Sequence, residues 1–92
     1  RECPCGKPSA TGHHVLARGQ GGDDVGANIV PLCGSGTTGC HGLIEAEDEK
    51  TRRMGGRWVK KHRPDTFAYV KGKLGDSAGR DWLKRRLFLT VR

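Results

Sequence analysis

The sequence has little with which to build a hydrophobic core. Only 34% of its 92 residues are apolar, and fifteen are glycines, which add no side chain to a core. A domain of this length buries only about 60 to 65% of the surface that its unfolded chain exposes. We therefore expect that something besides hydrophobic burial stabilises the fold.

Several kinds of segment are also missing. The chain has no apolar run of transmembrane length and no signal-peptide pattern, so we expect a soluble, intracellular protein with no membrane partner. It contains no internal repeat and no low-complexity tract. Its first residue is Arg1 rather than methionine, which leaves open whether further residues precede it.

Charge, by contrast, is abundant and unequal in sign. Seventeen lysines and arginines face ten acidic residues, which gives a net charge of +7 and a pI near 9.7. This imbalance favours a polyanionic partner, although charge alone does not identify nucleic acid.

Most residues able to carry chemistry lie between positions 13 and 45, in the segment HHVLARGQGGDDVGANIVPLCGSGTTGCHGLIE. Residues 13–17 are predicted to form a strand, and residues 28–33 its antiparallel partner. The glycines and aspartates between them are typical of a turn. Residues 40–45 are predicted to begin a helix, on which His41 and Glu45 share a face. Such a unit would bring this face towards the histidine pair.

Imidazole both binds divalent cations and takes up protons near neutral pH, so a histidine pair can serve both purposes. The order of the motifs resembles the HNH endonucleases, most closely their small phage-type members. These motifs are a His-His pair, a Gly-Gly turn, an Asn before an apolar strand, and the run Cys-Gly-Ser-Gly-Thr-Thr-Gly-Cys-His. The resemblance covers about the first half of the chain and implies the ββα-metal fold of that family.

The resemblance also implies a role for individual residues. His13 corresponds to a metal ligand, and His14 to the general base that activates water. Asn28 corresponds to the asparagine that braces the loop around this base, and His41 to a second metal ligand. Some relatives have a further histidine where this chain has Glu45, which is therefore a candidate third ligand. A carboxylate favours a hard cation such as Mg²⁺.

The implied activity is hydrolysis of DNA phosphodiester bonds with a single catalytic cation. Mg²⁺ or Mn²⁺ is expected, and Ni²⁺ and Zn²⁺ remain open. His14 would take a proton from water, and the cation would stabilise the departing 3′-oxygen. Adjacent side chains of a regular strand face opposite sides, so either the strand bends at the pair or the phosphate lies across its edge.

Kinship with phage-type members implies a role in phage genome processing, in the host cytoplasm and beside packaging proteins. The sequence leaves the biological role, the sequence specificity, the oligomeric state and the choice between nicking and double-strand cleavage open.

Four cysteines flank the predicted hairpin as two pairs: Cys3, Cys5, Cys33 and Cys40. They match the four-cysteine structural zinc site that many HNH proteins have around this core. Structural Zn²⁺ contributes about 10 kcal/mol or more to the folding of small zinc domains, which would offset the thin core. The alternatives are free thiols or disulfides, for which four cysteines allow three connectivities.

The rest of the chain is interpreted from its physical pattern alone. The predicted elements are a helix over residues 40–54 that ends at Gly55 and Gly56, helices over 64–74 and 77–88, and a strand over 88–91. Leu43 and Ile44 are predicted to face the core, and Trp58 to pack beneath the helix.

A basic surface is the remaining feature of the C-terminal part. The candidates for contact with DNA are Arg57, Lys60, Lys61, Arg63, Lys84 and Arg85. Each cation that neutralises a phosphate makes binding depend on salt. The alternative is that these side chains are a solvated surface that maintains solubility.

The sequence thus predicts an α+β protein with two parts. Residues 1–56 would form a small zinc-stabilised ββα-metal core, similar to HNH and treble-clef folds, and residues 57–92 a basic helical extension packed on it. One alternative is a zinc-stabilised DNA-binding module without hydrolytic activity, for which the histidine pair would have no purpose. A second is a protein-interaction module with zinc on the histidines.

Overall fold

The computed structural model describes residues 2–89, and all structural statements refer to this part of the chain. It contains two strands and four α-helices, so the fold is α+β. In chain order the elements are β1 (Thr11–His14), β2 (Ile29–Leu32), α1 (Gly39–Glu45), α2 (Glu49–His62), α3 (Asp65–Leu74) and α4 (Asp76–Leu87). The radius of gyration is 12.0 Å, close to the roughly 12 Å of a compact domain of this length. Among residues 2–89, every helix falls short of the length and apolarity needed to cross a membrane.

The two strands form an antiparallel hairpin, as predicted, but β1 covers Thr11–His14 and not residues 13–17, because the chain bends directly after His14. Thr11 pairs with Leu32, and His14 pairs with Ile29 at the loop end of the hairpin. The long loop that joins the strands contains two short 3₁₀ turns. Gly22 is essential to the path of this loop, because a Cβ there would lie 1.8 Å from the carbonyl oxygen of Leu16.

The prediction of one helix over residues 40–54 is wrong. Helix α1 ends at Glu45, and α2 begins at Glu49 after Glu47, whose φ of 63° interrupts the helix. Asp48 caps the new helix by accepting hydrogen bonds from the backbone N–H and the hydroxyl of Thr51 at 3.0 and 2.7 Å. The turn between the helices is therefore stabilised by a local side-chain cap.

The prediction that Gly55 and Gly56 end a helix is also wrong, because both lie inside α2. A Cβ on Gly56 would lie 2.1 Å from the carbonyl oxygen of Leu87. The glycine therefore allows the backbone of α2 to approach the end of α4. The boundary expected at residue 56 falls within a continuous helix.

The core joins the hairpin to all four helices. Its buried members are Cys3, Val15, Val30, Leu32, Ile44, Val59, Val70, Leu83, Leu87 and Leu89. Ile44 is buried as predicted, whereas Leu43 is 49% exposed, so its assignment to the core is wrong. Trp58 is partly buried against this core, as expected, but it lies within α2 itself and not beneath the helix.

The two C-terminal helices agree with the sequence prediction. Gly75 separates them, and Leu83 and Leu87 of α4 are both buried. Of the strand predicted over residues 88–91, the first two residues are described and lie in no strand. Residues 90 and 91 lie outside the described part of the chain.

Candidate functional site

The four cysteines form one cluster. Their sulfur atoms all lie within 4.8 Å of one another, and none is in a disulfide. The sulfurs of Cys5 and Cys33 are 3.8 Å apart. This distance equals the edge of a tetrahedron with Zn–S bonds of about 2.3 Å, which is about 3.8 Å. We call Cys3, Cys5, Cys33 and Cys40 the cysteine cluster. The cysteine cluster could therefore hold a structural metal such as Zn²⁺.

Two tight turns present these sulfurs. In the first, Cys3 N–H donates to Lys7 O and Gly6 N–H donates to Cys3 O, both at 2.8 Å. In the second, the backbone N–H of Cys40 donates to the sulfur of Cys33 at 3.4 Å. Backbone N–H groups directed at sulfur stabilise negative charge on it.

The protonation of the cluster depends on its surroundings. The backbone N–H of Lys7 is the main cause that lowers the pKa of the Cys5 thiol to about 7. Burial raises the pKa of both Cys3 and Cys40 above the ordinary thiol value. Four thiolates are thus disfavoured without a compensating cation, and metal binding would have to release protons from the cluster.

A second convergence of ligand atoms lies between β1 and α1. Glu45 Oε2 is 3.6 Å from Nδ1 of His13 and 3.4 Å from Nε2 of His41. The ligand atoms of these three residues all lie within 4.8 Å of one another. His41 and Glu45 occupy positions one turn apart on α1, as the sequence predicted, and His13 reaches them from β1. We call these three residues the histidine site.

The hydrogen bonds of Thr11 fix the tautomer of His41. The Thr11 hydroxyl donates to the carbonyl oxygen of Gly34 at 3.0 Å and contacts Nδ1 of His41 at 2.6 Å. Because a hydroxyl has only one proton to donate, Nδ1 of His41 must be the donor to Thr11. The lone pair of His41 is then on Nε2, which faces Glu45. Thr11 thus orients the imidazole of His41, as outer partners do for histidines that bind metals.

The surroundings of His13 favour its neutral form, which is the form that binds metals. Its side chain is only 14% exposed, and burial is the main cause that lowers its pKa to about 4. Its Nδ1 is buried and has no hydrogen-bond partner within residues 2–89. A buried nitrogen without a partner is costly, and a cation between the rings and the carboxylate would satisfy it.

His14 lines the same cavity as the histidine site. This cavity has a volume of about 440 Å³, and His13, His14, His41 and Glu45 are among its lining residues. Regular strand pairing ends at His14, and a bend follows. Both histidines thus border one cavity next to the end of the strand, although adjacent side chains of a regular strand face opposite sides.

An aspartate holds the ring of His14. Nε2 of His14 lies 2.5 Å from Oδ1 of Asp24, whose two oxygens also accept from Arg18 at 2.9 and 2.8 Å. The hydrogen bond from His14 is the main cause that lowers the pKa of Asp24, so this group is a carboxylate near neutral pH. A carboxylate can only accept, so Nε2 is the donor and Nδ1 is the basic nitrogen of the neutral ring.

Asn28 braces the loop that follows His14. Its side chain is fully buried. Its Oδ1 accepts from the N–H of Leu16 at 2.7 Å, and its Nδ2 donates to the carbonyl oxygens of Leu16 and Asp23, both at 3.0 Å. One amide thus ties both sides of the loop together.

The C-terminal helices hold the same loop from outside. Tyr69 of α3 accepts from the N–H of Asp23 at 2.7 Å and donates to its carboxylate at 2.8 Å. The indole N–H of Trp82 on α4 donates to the carbonyl oxygen of Val15 at 2.8 Å. Val15 directly follows His14, so α4 is attached to the backbone beside the cavity.

The cations suggested by the sequence divide between two surfaces. Arg57, Lys60 and Lys61 are exposed on α2, and Arg63 follows that helix. None of these four is among the residues that line the histidine cavity. Lys84 and Arg85 are exposed on α4 and line an adjoining cavity.

The structure also brings to the site residues that the sequence did not assign to it. They are Thr11, Arg18, Asp24, Arg52, Trp82 and Arg86. Thr11 had a usable signal, because residues two apart on a strand share a face and Thr11 is two before His13. Trp82 had none, because its contact is with a residue 67 positions away.

Comparison of the chain with models of protein families, with curated proteins and with solved structures gives no match. The geometry of the two clusters therefore carries the functional argument.

Proposed function

We propose that the protein is a metal-dependent endonuclease that hydrolyses DNA phosphodiester bonds. One observation carries the proposal: His13 Nδ1 and His41 Nε2 converge on the Glu45 carboxylate in the cavity that His14 also lines. A ligand set beside a separate imidazole base is what metal-assisted hydrolysis requires. A net charge of +7 suits a polyanionic substrate.

The histidine site would hold a divalent cation, with Mg²⁺ or Mn²⁺ as the expected ions. Two neutral imidazoles and one carboxylate suit several such ions, and the carboxylate favours harder ones. When bound, the cation would stabilise negative charge on the phosphate and on the departing 3′-oxygen.

In this proposal His14 is the general base. Asp24 engages its Nε2, so Nδ1 accepts a proton from the water that attacks phosphorus. Proton transfer by a positioned side chain contributes about 10² to 10⁴-fold to a rate. Asn28 acts through His14 as a positioning residue, because its three hydrogen bonds hold the loop that follows the base.

The cysteine cluster would bind structural Zn²⁺ and compensate for the small core. The order β1, β2, α1 agrees with the ββα-metal arrangement expected for an HNH protein, and we propose this finer fold assignment. A role in phage genome processing is proposed from the resemblance of the motifs alone.

The test is a plasmid-nicking assay with the zinc-loaded protein in Mg²⁺, Mn²⁺ or Ni²⁺. We expect His14→Ala to reduce the cleavage rate by about 10² to 10⁴-fold while DNA binding and zinc content stay unchanged. His62→Ala is the matched control, because His62 is exposed and lies outside the histidine cavity.

Two results would count against the proposal. If the wild-type protein binds DNA but cleaves none under any of these ions, the chain is better described as a zinc-stabilised DNA-binding module. If His14→Ala cleaves as fast as His62→Ala, His14 is not the base.

A further inference from the structure

The histidine cavity continues into a second cavity over α4. Arg52, Trp82 and Arg86 line the histidine cavity, and the same three residues line a neighbouring cavity of about 940 Å³. Lys84 and Arg85 line only the second cavity. A ligand lying across the histidine site therefore meets these cations directly on one side.

The second cavity has an excess of positive charge. Four cations line it, against the two carboxylates of Glu47 and Asp81. Within residues 2–89, neither Arg52 nor Arg86 forms an ion pair with a carboxylate. The buried Nε of Arg52 also has no hydrogen-bond partner in this part of the chain. Both guanidinium groups thus retain donors for an anionic ligand.

Fixed contacts hold these two guanidinium groups beside the cavity. Arg86 lies over the ring of Trp82, with its Cζ 4.6 Å from the ring centroid. Trp82 is in turn bonded to the backbone oxygen of Val15, one residue after His14. Arg52 donates from Nη1 to the carbonyl oxygen of Arg85 at 2.7 Å, and its Cζ lies 5.0 Å from the ring of Phe88. Stacking on an aromatic ring orients a guanidinium while leaving its edge free.

From this continuity we propose that Arg52, Arg86 and Lys84 form a phosphate-binding track for the DNA strand on one side of the bond that is cut. We call these three residues the track. Their role in binding phosphate extends the proposed endonuclease function and depends on it. Guanidinium donors match the geometry of phosphate oxygens. Contacts of this kind position the strand but do not read its bases, so the track adds affinity without sequence preference.

The track lies on only one of the two basic surfaces. On an α-helix, nine residues correspond to two and a half turns, so Lys61 projects from the side of α2 opposite to Arg52. Lys61 is exposed and does not line either cavity. It therefore provides a control with a matched loss of one positive charge.

The test measures DNA affinity as a function of salt for Arg86→Gln, Lys84→Gln and Lys61→Gln. The probe is a fluorescein-labelled DNA duplex of about 20 base pairs, followed by fluorescence anisotropy in Ca²⁺, with zinc retained and DNA integrity checked on a gel. Each lost phosphate contact should lower the slope of log K against log salt by about 0.9. We expect this loss in Arg86→Gln and Lys84→Gln, and an unchanged slope in Lys61→Gln.

A cleavage series in Mn²⁺ at subsaturating DNA should rank the variants in the same order. The track is refuted if Lys61→Gln lowers the salt slope as much as Arg86→Gln and Lys84→Gln, or if none of the three lowers it. In that event wild-type cleavage still supports the nuclease. If the wild-type chain neither binds nor cleaves DNA, the proposed function fails, and the track fails with it.

Discussion

Replacing Asn28 should lower the free energy of unfolding more than replacing an exposed amide side chain does. In Asn28→Ala, the N–H of Leu16 and the carbonyl oxygens of Leu16 and Asp23 all lose their partner. A buried polar group without a partner costs about 1 to 3 kcal/mol. Because the bond to Asp23 is only partly buried and water can replace it, two buried groups remain without a partner, and we expect a total loss of about 2 to 6 kcal/mol.

Asn28→Asp gives a sharper test because it keeps the shape of the side chain. One carboxylate oxygen can still accept from Leu16 N–H, but the other would face the two carbonyl oxygens to which Asn28 now donates. A buried charge facing two acceptors is strongly unfavourable, so its folded-state pKa is raised above the unfolded value. The variant should therefore gain stability relative to Asn28→Ala as the pH falls, because the protonated carboxyl can donate to one carbonyl.

The assay is urea unfolding at constant free Zn²⁺, followed by tryptophan fluorescence between pH 5 and pH 8. Gln20→Ala is the control, because Gln20 is an exposed amide in the same loop, and surface changes usually stay within about 0.5 kcal/mol. The reasoning is refuted if Asn28→Ala unfolds at the same urea concentration as Gln20→Ala. It is equally refuted if Asn28→Asp matches the wild-type protein at neutral pH.

The remaining predictions concern the fold and its metal. Gly72→Ala should stabilise the protein by about 0.5 to 1 kcal/mol, because no atom lies within 4 Å of a Cβ there. Gly56→Ala should destabilise the protein by about 1 to 3 kcal/mol, although alanine has the better helix propensity, because the added Cβ would meet the backbone of Leu87. Equal urea midpoints for Gly72→Ala and Gly56→Ala would contradict these two predictions. The hydrogen bonds from Thr51 lower the pKa of Asp48. The wild-type protein should therefore have a larger free energy of unfolding than Asp48→Asn above about pH 4, and this difference should disappear as the pH falls through the folded-state pKa of Asp48. A difference that does not depend on pH would contradict this prediction. Removing zinc with a chelator under reducing conditions should unfold the chain, with refolding on added Zn²⁺ seen by circular dichroism; a metal-free, reduced chain that keeps its helical signal would show that the cysteine cluster is not a folding site.

The sequence predicts those parts of the fold that depend on neighbouring residues. The glycines and aspartates of the loop indicate a hairpin, and Gly75 indicates the break between α3 and α4 because it disfavours a continuous helix. His41 and Glu45 share a helix face through their spacing alone. These signals depend only on residues close in the sequence, so the packing of the rest of the chain does not change them.

Most of the wrong sequence predictions occur where contacts between residues far apart in the sequence determine the structure. Gly56 looks like a helix end, yet α2 continues because the glycine allows close contact with Leu87 of α4. The break between α1 and α2 had a local signal in Asp48, a favourable N-cap residue, which the prediction of one continuous helix did not use. Leu43 and Ile44 are adjacent on α1, so only one of them can face the core fully, and the packing of α1 selects Ile44.

The candidate site shows the same division. Motif order predicts which residues are candidate metal ligands and which is the candidate base, but not which partners hold them in place. The bond between His14 and Asp24 and the orientation of His41 by Thr11 depend on where the loop and the strand edge lie in space. Such outer partners follow from three-dimensional geometry, which a single sequence does not specify.

Titration of the zinc-loaded protein with Mn²⁺, with free Mn²⁺ followed by electron paramagnetic resonance, shows whether His13, His41 and Glu45 bind a cation. We expect one Mn²⁺ bound per chain at the histidine site, with binding lost in His41→Ala and retained in His14→Ala. If Mn²⁺ does not bind, or if it binds equally well to His41→Ala, then His13, His41 and Glu45 do not form a metal site and the proposed mechanism is wrong.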